Sequence, residues 1–412
     1  MNATNNSYAI NRRQFISSMS GIAATAVASP FVMAQENTTY QKSDRIVRMG
    51  IVGGRFGATF QWHEHPNCKV TAVCDLLQER REAMMKIYQC DVAYRDFKDI
   101  IADKNVDAIG VFTPVPLHVY MDIEAMKAGK HVISAVPAGI NEEECVELME
   151  CVKRTGMIYM MAETSYYCRE IISCRQWAKE KTFGEIFYSE AEYHHDGLLN
   201  LMFDENGYPT WRHGFPPMHY PTHSTGMIIP VTAERLIEVT ATGWGDDHEV
   251  LRTNVYNNPY WSEVAMFKTS DGHSARVGVF WKVASGGTER SQFYGTEMSY
   301  YMPRPDGTPG IIAKREEGTV IKNRYEEAKV RMESHNQPNH YELLPEPLRH
   351  DSGHGGSHTH ITHAFVMSVL EKRQPEVNVY EALAFTIPGF YAHQSALEGG
   401  TLKKIPDYGK MK

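Results

Sequence analysis

The first half of the chain places its apolar residues in short runs, separated by longer segments of mixed polar and apolar character. Runs at Arg45 to Val52, Lys69 to Asp75, Val106 to Phe112, Lys130 to Ser134 and Met157 to Met161 read as strands, and Tyr94 to Asp103 reads as a helix. Thr113 to His118 reads as a loop entering a helix. Strands separated by helices predict a parallel sheet in an α/β fold. The pattern then changes. Phe187 to Tyr193 alternates with period two, and Glu249 to Lys282 and Gly287 to Tyr301 are strand-like, which suits a broad second sheet. Pro303 to Pro309 reads as a turn region, Glu326 to Pro347 as a charged peripheral segment, and Thr359 to Lys372 and Val379 to Leu397 as helices.

The chain has 412 residues, 42% hydrophobic and 22% charged, enough for two domains with sizeable cores. The net charge of -8 does not favour nucleic acid, which calls for a basic face. No apolar run reaches the length of a membrane span. The seven cysteines, an odd number between Cys68 and Cys174, read as small core residues and not as a disulfide framework. The N-terminus carries Asn11-Arg12-Arg13-Gln14-Phe15-Ile16, then a small apolar run from Gly21 to Ala28. Ala26/Ala28 or Val32/Ala34 offer cleavage sites. This order predicts a bacterial twin-arginine signal over residues 1–34 and a linker over 35–44. Export of the folded chain to the periplasm would let it trap a cofactor before it leaves the cytoplasm.

The strand at Arg45 runs into Gly53-Gly54-Arg55-Phe56-Gly57 and a helix-like segment, and the next strand ends in Asp75. That is a dinucleotide-binding layout, one residue shorter than the usual glycine pattern. Its glycines let backbone approach a pyrophosphate at a helix N-terminus, and its acid takes the ribose hydroxyls. Asp75 favours NAD over NADP, with Arg80 and Arg81 expected on the solvated side of the following helix.

The runs Asp107 to His118 and Ala125 to Val132 resemble the glucose–fructose oxidoreductase/inositol dehydrogenase/MocA family. The resemblance implies a Rossmann domain over 45–165, a doubly wound parallel sheet. It also implies an α/β domain over 166–412 with a large open mixed sheet. In the family, one face of that sheet takes a small-molecule sugar substrate and the other an oligomer contact, so a homo-oligomer, dimer or tetramer, is expected. Gly53, Gly54, Arg55, Phe56, Gly57, Asp75, Thr113, Pro114, His118 and Pro137 are the implied NAD contacts. Glu163, just past a strand end, is placed beside the nicotinamide ribose or the substrate, or is a simple loop acid. Family members carry Glu-Lys-Pro with a working lysine, where this chain has Ala135-Val136-Pro137. His223 stands at the family histidine and His219 where aspartate is usual. Val136-Pro137-Ala138, Tyr193-His194-His195-Asp196, Tyr220-Pro221-Thr222-His223 and Gly353-His354-Gly355-Gly356 are together similar to NAD-dependent glycosidases of the α-N-acetylgalactosaminidase type. That branch implies oxidation of a ring carbon, C3, then loss of the acidified C2 proton and departure of the C1 substituent. Water adds, the ketone is reduced again, and the tightly held NAD is recycled.

Such chemistry needs a base working near neutral pH, and 15 of the 19 histidines lie from His194 onward. His223 is the first candidate, then Tyr193, if a neighbour depresses its phenol, and His195; each also has a packing role open to it. His194 and His195 face opposite sides if the strand continues, so one of them at most serves the site. His219, Trp211, Arg212, Tyr220 and His354 are the candidate substrate contacts, with Trp244 a further candidate for a sugar platform. The histidines between His350 and His363 lack a completing carboxylate or cysteine pattern, so no metal is expected there. Two rivals stand beside the glycosidase reading: a non-catalytic sugar-binding member of the same fold, and a net dehydrogenase with an external acceptor.

Overall fold

The computed structural model describes residues 43–410 apart from 196–197, 285–286 and 317–328. The twin-arginine pattern, its apolar run and cleavage sites, most of the linker, and Asp196 lie outside the described residues.

Six short strands form the first sheet: β1 (Val47–Val52), β2 (Cys68–Cys74), β3 (Ala93–Tyr94), β4 (Ala108–Val111), β5 (His131–Ser134) and β6 (Tyr159–Met161). All are parallel, in the order β3-β2-β1-β4-β5-β6. The central strands are buried on both faces, as a parallel sheet requires. Helices α1 (Gln78–Tyr88), α2 (Phe97–Ala102), α3 (His118–Lys127) and α4 (Glu142–Thr155) supply the cover. Asn141 caps α4 by accepting the Glu144 N–H at 2.8 Å, and Gly156 ends it at φ +67°. The order reverses between β1 and β4, and the loops leaving those two strands form the crevice where such sheets hold ligands.

One expectation fails here. No α-helix follows the glycine loop, only two 3-10 turns, Phe56–Thr59 and Trp62–Glu64. The reason is packing. Phe56, Phe60 and Trp62 turn inward as an aromatic cluster with Phe112 and leave no amphipathic stripe for a longer helix. Gly53 is required by close approach, since a Cβ there would lie 2.3 Å from the Phe112 carbonyl oxygen.

After α5 (Arg169–Lys179) comes the second sheet, of nine strands. They are β7 (Ile186–His194), β8 (Leu236–Trp244), β9 (Ser262–Thr269), β10 (Ser274–Phe280), β11 (Thr288–Gly295), β12 (Met298–Tyr301), β13 (Gly310–Arg315), β14 (Val330–His335) and β15 (Lys403–Lys404). Their order is β14-β13-β12-β11-β7-β10-β9-β8-β15, with β7 and β10 parallel and the other pairs antiparallel. One sequence reading is corrected, since Glu249–Arg252 is a short helix, α7; Val330–His335, in the segment expected to be peripheral, is the exposed edge strand. The seven cysteines are free. Among the described residues no helix is long and apolar enough to cross a membrane.

Helix α6 (Thr222–Thr232) is buried nearly all round and lies on one face of this sheet. Ser189, Ala191 and Tyr193 of β7 point towards it, while Glu190 and Glu192 point away and pair with Arg276 and Arg290. The last helices are α8 (Gly353–Glu371) and α9 (Val379–Leu397). α9 packs on β8 and also on β6 and α4 of the first sheet. The Ala138 N–H reaches Thr386 Oγ1 at 3.2 Å, and the Thr225 hydroxyl donates to the Phe385 carbonyl at 2.7 Å. The two sheets are therefore fastened by the same helix.

Gly53→Ala places a side chain at φ +99° against backbone that has no room to move. A loss of about 1–3 kcal/mol in chemical denaturation is expected, together with weakened dinucleotide binding by calorimetry.

Candidate active site

β6 ends at Met161, and the chain turns through Glu163 at the carboxyl edge of the first sheet, where the side chain is wholly buried. α6 presents His223 in its first turn, and His223 Nδ1 lies 2.9 Å from Glu163 Oε1. The same carboxylate oxygen accepts the Ser165 N–H at 2.9 Å. From β7, the Tyr193 ring stands 4.5 Å from the His223 ring. Tyr220, two residues before α6, lies 5.5 Å from His223 and 6.1 Å from Tyr193 between ring centres. The Arg212 guanidinium lies 4.2 Å above the Trp211 ring and 5.9 Å from that of Tyr220. The wall is completed by Trp281, 6.1 Å from Tyr193, with its Nε1–H donated to the Phe215 carbonyl at 2.8 Å. His195 stacks edge-on to Tyr193 at 5.6 Å.

Burial works against a charged His223, but the carboxylates of Glu163 and Glu289 and the hydrogen bond to Glu163 outweigh it, raising its pKa to about 9. His223 is thus an imidazolium at neutral pH. Burial pushes the Glu163 carboxyl up, yet His223 and its other partners hold it below the ordinary value. The pair shares one ionic hydrogen bond in a dry setting. Tyr193 departs from expectation. Burial first, then Tyr220 and Glu289, hold its phenol well above the ordinary value, so it is a neutral hydrogen-bond donor and not a depressed base. His219 is held neutral, lowered to about 3 by burial and then by His393, and its Nδ1 is buried with no partner. Beside it, His393 Nδ1 sits 2.8 Å from Glu263 Oε1.

The nucleotide side meets the same pocket through the loop that opens α8. His354, Gly355 and Gly356 have φ of +48°, +64° and +95°, so this stretch is a tight loop and not helix. The His354 ring lies 5.5 Å from Phe56, and its Nδ1 is 2.9 Å from His358 Nε2. His358 Nδ1 is 3.0 Å from the Thr59 carbonyl oxygen. Burial lowers the pKa of His354, with the charges of Glu289, His223 and Glu163 acting on it as well.

The remaining predicted cofactor contacts line or brace the crevice. Asp75 Oδ2 accepts the Gly54 N–H at 2.7 Å. Arg80 and Arg81 stand in the first turn of α1, partly exposed as expected, and both also reach Asp75. Arg80 lies 3.9 Å from Asp75 Oδ2, and Arg81 donates to the Asp75 carbonyl at 2.8 Å. Gly57 is buried and Arg55 exposed at the loop tip. His118 is wholly buried, its ring nitrogens 2.8 Å from the Thr113 carbonyl and 3.0 Å from that of Pro137, so it ties those two loops together. Pro114 starts the turn between them. These residues suit a dinucleotide: the glycine loop sits at the order reversal, and the carboxylate of Asp75 stands at the tip of β2. Deeper in, the buried Thr222 hydroxyl helps to hold the Glu163 carboxyl below its ordinary value.

Trp244 is not part of this pocket. Register places it with Ser262 and Phe280 on the sheet face opposite Tyr193, half-exposed beside Lys282. His194 shares that outer face, 5.0 Å from the Phe280 ring. His360 and His363 are engaged elsewhere, with Asn339 and His65. Among the described residues no group of three or more His, Cys, Asp or Glu side chains is placed to hold a metal ion. Glu289, Ser165, Trp281 and His358 were missed from sequence. All four depend on strand register or on contacts between distant segments.

The family profile "Oxidoreductase family, NAD-binding Rossmann fold" matches residues 47–163, and "Glycosyl hydrolase 109, C-terminal domain" matches residues 301–412. The chain belongs to the Gfo/Idh/MocA oxidoreductase family, in its glycosyl hydrolase 109 branch. Glycosyl hydrolase family 109 proteins of Solibacter usitatus and Stenotrophomonas maltophilia are 24% and 23% identical to it. The matches cover 96% and 97% of this chain and 96% of each relative. A levoglucosan dehydrogenase solved with NADH and levoglucosan shares the fold, with a TM-score of 0.72 at 18% identity over 88% of this chain and all of that one. Membership of this family makes the first domain an NAD-binding Rossmann domain.

The Glu163–His223 pair has a signature in stability. His223 is raised from 6.5 to about 9, so its contribution is complete below pH 6.5 and is lost as pH rises through about 9. Glu163 is lowered from 4.5, so its contribution is present above pH 4.5 and is lost as pH falls through its folded value. Glu163→Gln is expected to lose on the order of 3 kcal/mol near pH 6 and to approach the parent chain above pH 9, by urea denaturation at each pH.

Proposed function

We propose that the protein is an NAD-dependent enzyme that oxidises a ring hydroxyl of a sugar or glycoside, at C3, within a cycle of oxidation, elimination, hydration and reduction that cleaves the glycosidic bond. The observation that carries this reading is the buried Glu163–His223 pair at the carboxyl edge of the nucleotide-binding sheet, facing Tyr193, Tyr220 and Arg212. NAD, when bound, supplies the acceptor and later the donor of the hydride. The chain's own groups handle protons and position. His223 gives and takes the proton of the reacting hydroxyl, with Glu163 holding its Nδ1 and so fixing the working face of the ring. Once C3 is a ketone the C2 proton is acidic, and a base on the same side removes it as the C1 substituent leaves. His195 is the neighbouring group for this step, and Tyr193, held protonated, for donating to the ketone oxygen. Trp211, Arg212 and Tyr220 form a stacked platform that suits sugar C–H faces and hydroxyls, with His219 beside it and His354 at the cofactor side.

Recycling of a tightly held NAD suits a chain exported already folded, and the twin-arginine pattern at Arg12 and Arg13 supports a periplasmic enzyme. Trp244 and Met266, exposed apolar side chains on the outer face of the nine-stranded sheet, support a dimer or tetramer formed through it.

The protein is to be purified without added cofactor and its absorbance followed near ~340 nm, the reduced-nicotinamide band, during addition of aryl glycosides. Release of aglycone with no lasting reduction, abolished in His223→Ala, is expected. Lasting reduction without release would mark a net dehydrogenase, and no response with supplied NAD across the panel would sink the enzyme reading. Replacing Arg12 and Arg13 by lysine is expected to retain the protein in the cytoplasmic fraction; undiminished export would overturn the twin-arginine assignment.

A further inference from the structure

Two carboxylates approach the same nitrogen of His223. Glu163 is 2.9 Å from Nδ1 with no exposed side-chain surface, while Glu289 is 3.9 Å from it with 26% of its side chain exposed. Ser165 stands between His223 and Glu289. Its Oγ is 3.3 Å from Nδ1 and 2.6 Å from Glu289 Oε2. Register explains the placement. Glu289 of β11 is directly opposite Tyr193 of the antiparallel strand β7, so both side chains leave the sheet on the face that carries α6. The Ser165 N–H bond to Glu163 Oε1 fixes the serine in turn.

The two carboxylates therefore differ in one respect that matters for a proton. A proton passed to Glu163 stays inside the protein. A proton passed to Glu289 reaches a group that meets water. The other groups facing His223 are no exit: the Tyr193 and Tyr220 phenols are held protonated by burial first, Arg212 is cationic, and His354 is disfavoured as a cation by burial first.

We propose that Ser165 and Glu289 form a proton path between His223 and solvent, with Glu289 a positioning residue that governs how the His223 proton is exchanged. The path rests on the acid–base role given to His223 above. The acting form is the neutral imidazole, reached when the resting imidazolium loses its Nε2 proton to water and keeps the one on Nδ1. As Nε2 then takes the proton of the reacting hydroxyl, the substrate O–H bond breaks and an Nε2–H bond forms. The Nδ1–H bond breaks, that proton goes to Ser165 Oγ, and the serine hydroxyl proton goes to Glu289 Oε2. No electrons leave or enter, and the reverse sequence restores every bond when the hydroxyl is re-formed.

The test needs no substrate. Histidine-15N-labelled full-length protein is compared by NMR for the rate at which the His223 ring N–H exchanges with water, His223→Gln serving to assign the signal. Ser165→Ala and Glu289→Gln are each expected to slow exchange on the order of tenfold, the effect of a barrier raised by about 1.4 kcal/mol. Ser165→Thr and Glu289→Asp, which keep a hydroxyl and a carboxylate, are expected to restore it. A loosened structure would speed exchange, so unchanged or faster exchange in Ser165→Ala and Glu289→Gln overturns the path. Turnover is measured separately. If the parent chain acts on no sugar or glycoside while the slowed exchange holds, the functional reading falls and the proton path stands.

Discussion

A carboxylate with no exposed surface must be neutralised or paired, and Glu163 is paired. That requirement organises the centre of the molecule. The carboxylate sits at the end of a strand of the first sheet, its cation sits in the first turn of a helix carried by the second sheet, and the two are 2.9 Å apart. The ion pair forms only when both sheets are assembled in one relative position. Gly226, one turn along α6, has no side chain because a Cβ there would lie 2.7 Å from Glu163 Cγ. Helix and carboxylate are thus packed as closely as their hydrogen bond is short. Aromatic rings of Tyr193 and Tyr220 exclude water around them and strengthen the pairing.

The altered triplet Ala135-Val136-Pro137 answers to packing. Ala135 and Val136 are buried side chains in the apolar core of the first domain. A lysine in place of Val136 would have to bury its ammonium among these apolar side chains.

Much of the scaffold was readable because burial imposes simple periods. Fully apolar runs gave the parallel strands, and the alternation from Phe187 to Tyr193 gave β7, on which Tyr193 is buried. Asp75 was readable as the acid closing β2. The turn after Gly57 was not, because its residues answer to an aromatic cluster that includes Phe112 and His358 from elsewhere in the chain. Glu289 was equally hidden. Its local sequence, Thr288-Glu289-Arg290, looks like any exposed strand, and only the pairing of β11 with β7 turns the acid inward. Trp244 failed for the same reason in the opposite sense, since register sends it outward.

The position of α9 bears on how the protein is made. Its N-terminal approach pairs Val377 with Met161 of β6, and Thr386 within it holds the loop at Ala138. The nucleotide domain therefore leaves the ribosome with part of its floor missing, although all six of its strands have already been synthesised. It can reach its final form only after nearly the whole chain has been translated. The last helix to be made is thus the one that closes the floor of the first sheet.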